Sequence, residues 1–222
     1  MKKFETTKLF YDQYMYKLVV YNPFGHIFRQ KNLSSAKTFI DTLQTQFLEN
    51  KPLEITTRYR RYSVRVELFL EVKKLYEAFE KQTAYKLRIE NTTLSIYSNN
   101  LAWLKQLARL VESPRGLWQP RKEAEDILRE ANVIVTRNRN EYQYLVRLAK
   151  ASQAQPGLAD WIRNNPDKAK AGQKALRRID RTTWGHGAVS FYVRDERILH
   201  LISLMVDKIN RVDKLVYVED AK

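Results

Sequence analysis

The chain has 222 residues, no cysteine, and forty Lys and Arg against twenty-five Asp and Glu, a formal net charge of +15. The missing cysteine excludes disulfides, thiolate chemistry and cysteine-based metal sites, and the opening Met1-Lys2-Lys3-Phe4-Glu5 lacks a signal peptide's apolar core. No apolar stretch reaches the roughly 20 residues that cross a bilayer, so a cytoplasmic protein without a membrane span is expected, one whose field attracts polyanions.

The first strand expected is Tyr16–Tyr21, rich in aromatic and β-branched residues and closed by Asn22-Pro23. A helix follows, capped at Ser34 or Ser35, with Phe39, Ile40, Leu43 and Phe47 at helical spacing until Asn50 and Pro52 stop it. Between 53 and 68 the alternation changes phase: Ile55, Thr57 and Tyr59 are odd, Tyr62, Val64, Val66 and Leu68 even. This predicts two strands or a bulge near Arg60-Arg61. Phe69, Val72, Leu75, Tyr76 and Phe79 return to helical period, and Tyr85, Leu87 and Ile89 to strand period. The sum is a ferredoxin-like βαββαβ unit, extended by a hairpin strand at Leu94-Ser95-Ile96-Tyr97 and a helix capped at Ser98 or Asn99 and carrying Trp103, Leu104, Leu107 and Leu110.

This α+β unit spans residues 1–112. Ser113-Pro114-Arg115-Gly116, followed by Trp118 and Pro120, predicts a linker with a short helix at 122–130, together covering 113–131. A second, smaller α+β unit occupies 132–222. It opens with a hairpin of Val133-Ile134-Val135 and residues 142–148, continues with helices at 158–163 and 167–181, and ends in βαβ: strand 189–193, a helix capped by Asp195, and strand 215–218.

Two phrases, Tyr85-Lys86-Leu87-Arg88-Ile89-Glu90-Asn91 running to Ser98-Asn99-Asn100, and Phe191-Tyr192-Val193-Arg194-Asp195-Glu196, are similar to segments of uncharacterised phage-encoded proteins. The resemblance covers under a quarter of the chain. It implies a viral source, the cytoplasm of a bacterial host, and a role in handling a phage genome or its transcripts, and it assigns no functional residue.

The basic residues cluster. Arg58, Tyr59, Arg60, Arg61, Tyr62 and Arg65 interleave guanidinium forks that hold phosphate with rings on which unpaired bases stack, a pairing suited to single-stranded nucleic acid. The same residues on a solvated edge hairpin would simply block aggregation. On a helix over 167–181, Lys170, Lys174, Arg177 and Arg181 share one face, able to follow a phosphate backbone or to stand in solvent. Arg137 and Arg139 mark a loop tip with similar reach.

Signals for chemistry are few. No Walker A or dinucleotide glycine pattern occurs, so no cofactor is expected, and the three histidines have no metal-ligand spacing, so no metal is expected either. His186, between Gly185 and Gly187, is the candidate general acid or base of a metal-independent nuclease; a surface histidine in a flexible turn is the simpler explanation, so no catalytic residue is expected. The leading expectation is a non-catalytic nucleic-acid-binding protein that favours single-stranded DNA or RNA. The rivals are a His-dependent nuclease and an assembly or inhibitor protein that meets an acidic protein partner.

Overall fold

The computed structural model describes residues 1–29, 33–56, 61–180 and 187–219. Two α+β units divide the chain, Met1–Arg121 and Lys122–Lys222.

In the first unit the elements are β1 (Lys2–Glu5), β2 (Tyr16–Tyr21), α1 (Ser34–Leu48), β3 (Glu54–Thr56), β4 (Arg61–Ser63), α2 (Val66–Glu80), β5 (Tyr85–Glu90), β6 (Thr93–Ser98), α3 (Leu101–Leu110) and β7 (Pro114–Gln119). Five strands form one sheet in the order β1-β7-β2-β6-β5. Neighbours are antiparallel except β1, which runs parallel to β7. Leu18, Val20, Leu94, Ile96 and Leu117 alternate onto one side of the sheet and are fully buried. That side receives α3, which contacts β2, β6 and β7, while α2 lies against α1 and α3. The helices bury Leu43, Val72, Leu75, Phe79, Leu104 and Leu107, each at helical spacing within its own segment. Asn100 caps α3, its Oδ1 accepting the Trp103 N–H at 3.0 Å.

Three expectations are corrected here. The two strands read between 53 and 68 pair with each other as β3 and β4, outside the five-stranded sheet, and residues 66–68 belong to α2. Val66 and Leu68 fit strand alternation but also lead into the helical series Phe69, Val72, Leu75. Arg65 keeps extended backbone at the junction (φ −69°, ψ 144°), so the chain turns helical immediately after it. Residues 114–119, expected to link, form β7 between β1 and β2. Pro114 stands at the strand's first position, where proline is tolerated, and Gly116 faces a ring that leaves no room for a side chain. β1 was not expected at all.

The second unit comprises β8 (Val133–Thr136), β9 (Tyr144–Leu148), α4 (Leu158–Asn164), β10 (Ala169–Lys170), α5 (Gln173–Asp180), β11 (Val189–Val193), α6 (Glu196–Ser203) and β12 (Arg211–Tyr217). The sheet order is β10-β11-β9-β12-β8. Val146, Leu148, Phe191 and Val193 face the helices and share one core with Leu176 and Ile179 of α5 and Ile202 of α6. Asp195 caps α6, its Oδ1 accepting from the Ile198 N–H at 3.0 Å.

The structure departs from expectation at three places. β8 and β9 are not a hairpin, because β12 lies between them, parallel to β8 and antiparallel to β9. β12 carries apolar residues on both sides, Val212 and Val216 on one and Leu215 and Tyr217 on the other, which suits an interior strand; turn chemistry between β8 and β9 carries no trace of this. Two 3-10 turns, Lys122–Ala124 and Ile127–Arg129, replace the helix read at 122–130. The helix read at 167–181 begins only at Gln173, since residues 169–170 are drawn into the sheet as β10 and Gly172 intervenes.

Candidate nucleic-acid interface

A strand whose alternate residues are buried against helices must present the others on its opposite side. In the first unit those others form a row. Strand register sets Phe4 of β1 opposite Trp118 of β7, Trp118 opposite Lys17 of β2, Lys17 opposite Tyr97 of β6, and Tyr97 opposite Lys86 of β5. Phe4 and Trp118 stack with ring centroids 4.3 Å apart and planes 14° from parallel. Gly116 makes this possible, because a Cβ there would lie 2.6 Å from Phe4 Cε2. The Lys17 ammonium sits 4.6 Å from the Trp118 ring centroid and 5.7 Å from those of Tyr97 and Phe10.

The segment between β1 and β2 folds back over part of this surface. Tyr11 meets Tyr97 edge-on at 5.0 Å, and Phe10 and Tyr14 also pack on it. Tyr97 is therefore only 4% exposed, whereas Phe4 at 40%, Tyr11 at 45% and Tyr21 at 37% remain open to solvent. Lys86 Nζ lies 3.8 Å from the Tyr11 ring centroid. Near the far end of β2 the pairing with β7 shifts between Val19 and Val20, and the Arg115 guanidinium lies 4.9 Å from the Tyr21 ring centroid.

Partial burial lowers the Lys17 pKa from the usual lysine value, opposed by the charge of Glu90 and reinforced by that of Arg88. Burial, followed by proximity to Tyr11, pushes the Tyr97 phenol up to about 12. Arg88 hydrogen-bonds Glu90 and Tyr11, both of which favour its charged form. Between the back-folded segment and the sheet is a hollow of about 450 Å³ whose walls include Thr6, Tyr11, Arg88, Tyr97 and Trp118. Rings, cations and this hollow thus share one surface.

The residues singled out from sequence fall elsewhere. Arg58, Tyr59 and Arg60 lie outside the described residues, as do Arg181, His186 and the side chain of Tyr62. Arg61 is exposed on β4 with its Nη1 3.4 Å from Glu54, and Arg65 is exposed at the start of α2. The β3–β4 hairpin is fastened to α1 by Gln46, whose side chain donates to the Glu54 carbonyl at 2.9 Å and accepts from the Glu54 N–H at 2.8 Å. The described strands of that hairpin, with Arg61, therefore belong with the helical layer and not with the ringed face.

In the second unit Lys170 leaves the company of Lys174 and Arg177. Lys174 and Arg177 are exposed on α5, on the helical side of the sheet; Lys170 is on edge strand β10 opposite Tyr192, on the other side. Arg137 and Arg139 stand on the exposed connection after β8, and the Arg139 guanidinium is 5.4 Å from the Tyr217 ring centroid. On the same side Arg147 and Arg211 are register partners, and both approach the fully buried Asp213, Arg147 Nε at 3.2 Å and Arg211 Nε at 2.5 Å.

Phe4, Lys17, Tyr97 and Trp118 were not foreseen, because they come from four strands far apart in the chain. The available signal was Lys17, a lone cation inside an otherwise apolar aromatic strand, together with the outward Lys86 and Arg88 of β5. Comparison with protein families, curated proteins and solved structures finds no match to this chain. Among the described residues no group of three or more His, Asp or Glu could hold a metal ion, and no helix is long and apolar enough to cross a membrane.

Proposed function

We infer that the chain is a non-catalytic nucleic-acid-binding protein that prefers single strands, with the ringed sheet face of its first unit as the principal contact. The row Phe4, Trp118, Lys17 and Lys86, with Tyr11 standing over the buried Tyr97, carries this reading. Exposed rings offer stacking surface to unpaired bases, which every base accepts and which a duplex conceals, and the interspersed cations draw the phosphates. Trp118 and Phe4 stack on bases; Lys17, Lys86, Arg88 and Arg115 are the nearby charges.

The strand order β7-β2-β6-β5, with every neighbour antiparallel, supports a ferredoxin-like assignment in which β2, α1, β5, β6, α3 and β7 are the βαββαβ elements. The β3–β4 hairpin and α2 are then an insertion in the first crossover. By analogy of fold alone, sheets of this kind present their helix-free side to single-stranded RNA. Arg61 of the inserted hairpin, Arg65 at the start of α2, and Lys170, Arg137 and Arg139 of the second unit, serve as outlying phosphate contacts.

The test is a salt-titrated binding series with single- and double-stranded DNA and RNA. Log affinity should fall linearly with log salt, by about 0.7 for each phosphate neutralised on a single strand, and single strands should bind more tightly than duplex. Affinity indifferent to salt, or preference for duplex, would overturn the reading.

A further inference from the structure

Tyr97 points to the helix-free side of the first sheet, where its row neighbours Lys17 and Trp118 are half-buried, yet it is only 4% exposed. The cover is the chain's own turn at residues 10–14. Tyr11 stands edge-on to the Tyr97 ring at 5.0 Å, with Phe10 and Tyr14 beside it. The ammonium of Lys86, the register partner of Tyr97, lies 3.8 Å from the centre of the Tyr11 ring, and Arg88 hydrogen-bonds the Tyr11 hydroxyl. A ring seated on a sheet tyrosine, with one cation over its face and another at its polar end, has the surroundings that a nucleotide of a bound strand would need.

The turn that holds this ring in place is built against the preference of its backbone. Phe10 and Tyr14 exchange N–H to carbonyl bonds of 2.8 and 2.9 Å, and the Gln13 N–H also reaches the Phe10 carbonyl at 3.1 Å. That closure sets Tyr11 and Asp12 in left-handed backbone, with φ of 54° and 57°. Turns with two such residues favour Asn-Gly; a tyrosine there is strained, and strain persists only while surrounding contacts outweigh it. Those contacts include the rings of Phe10, Tyr11 and Tyr14 on Tyr97. The root of the turn is fastened separately, the Asn99 side chain accepting from the Met15 N–H at 2.8 Å and donating to the Gln13 carbonyl at 2.9 Å. The tip can lift while that root stays in place.

We propose that Tyr11 is a stand-in for a base: it closes the stacking position on Tyr97 in the free chain, and an unpaired base of a bound single strand takes that position by displacing the tip of the turn. Lys86 and Arg88 then pass from the phenol to the incoming phosphates. This rests on the sheet-face reading and adds to it a base position that the free chain masks. A binding-competent state that is only a fraction of the free population weakens the observed affinity by that fraction, so removal of the stand-in tightens binding.

The experiment compares wild type, Tyr11→Ala and Asp12→Gly by binding of a fluorescent twelve-nucleotide single strand, with thermal unfolding in parallel and with amide hydrogen exchange of the wild type measured with and without the strand. Tyr11→Ala should bind about tenfold more tightly, because the position on Tyr97 stands open. Asp12→Gly relaxes the closed turn and should bind about threefold more weakly. Adding the strand to wild type should speed exchange in residues 7–14. Tyr11→Ala that binds no more tightly than wild type would overturn the stand-in and leave the sheet face intact. Wild type and Tyr11→Ala that both bind no strand would overturn the two readings together. If Tyr11→Ala fails to fold, the exchange measurement decides, and exchange in residues 7–14 that is unchanged or slowed by the strand overturns the proposal.

Discussion

The two sheets carry arginine, lysine and aromatic residues on their helix-free sides, but they spend those residues differently. In the first unit the cations sit against rings: Lys17 among Trp118, Tyr97 and Phe10, Lys86 over Tyr11, Arg115 over Tyr21. In the second, Arg147 and Arg211 converge on the fully buried carboxylate of Asp213. A cation held by a ring keeps its net charge and can still meet a phosphate, whereas the Asp213 carboxylate cancels one of the two guanidinium charges that converge on it. The first face thus leaves its cations available to a ligand, as the proposed function requires, whereas the centre of the second ties its own strands together. Lys170 and Arg139 stand exposed on that same side of the second sheet.

The largest expected effect breaks the second face. Asp213→Ala removes the acid from between two arginines and should lower stability by about 3 kcal/mol, the low end for breaking a buried ion pair because the Arg147 side chain is 42% exposed and can turn to water. Chemical denaturation measures it. Strand affinity should change far less than after substitutions on the first face.

Trp118→Ala tests the first face. Loss of one stacking surface should weaken single-strand binding by about 2 kcal/mol, close to thirtyfold, while the salt slope stays where it is. The double substitution Lys170→Ala with Arg139→Ala should do the reverse, lowering the salt slope by about one to two units with a smaller loss of affinity at high salt. Equal slopes for both variants would erase the proposed division of labour.

Gly116→Ala probes how the ringed face is assembled. The added Cβ would stand 2.6 Å from Phe4 and 3.0 Å from Trp118, so the Phe4 ring must move, at a cost of about 1.5 kcal/mol in stability. The broken stack should be visible as a change in near-ultraviolet circular dichroism.

The smallest effect is a pH dependence. The Tyr97 phenol is raised to about 12 in the folded chain from an ordinary value of 10.0, so its contribution to stability is complete below about pH 10 and is lost as pH rises toward 12. Denaturation midpoints for wild type should decline across that window, and Tyr97→Phe should decline less. Identical profiles would mean that the burial of Tyr97 has no energetic consequence.

Much of the fold was legible where the signal is local. The helical series Phe69, Val72, Leu75 and Phe79, the alternation of Tyr85, Leu87 and Ile89, and the cap at Asp195 follow from period and cap chemistry, and each stands in the structure near its expected place. What failed depended on pairing at long range. β7 reads as a linker because Pro114 and Gly116 are turn residues by composition; only the neighbouring Phe4 ring explains the glycine. β12 enters between β8 and β9 from nearly seventy residues away, and no local rule forbids the simpler hairpin. The candidate site shares this character: Arg58 to Arg65 is conspicuous because its residues are adjacent in sequence, while Phe4, Lys17, Tyr97 and Trp118 become a surface only after four strands are in register.

The most direct test of that surface is photo-crosslinking of a single-stranded oligonucleotide bearing 4-thiouridine or 4-thiothymidine, followed by mass-spectrometric mapping of the adducts. Adducts concentrated on the peptides that carry Phe4, Tyr11, Tyr97 and Trp118 are the predicted result. Adducts confined to the 58–65 hairpin and to α5, with none on the ringed face, would contradict it.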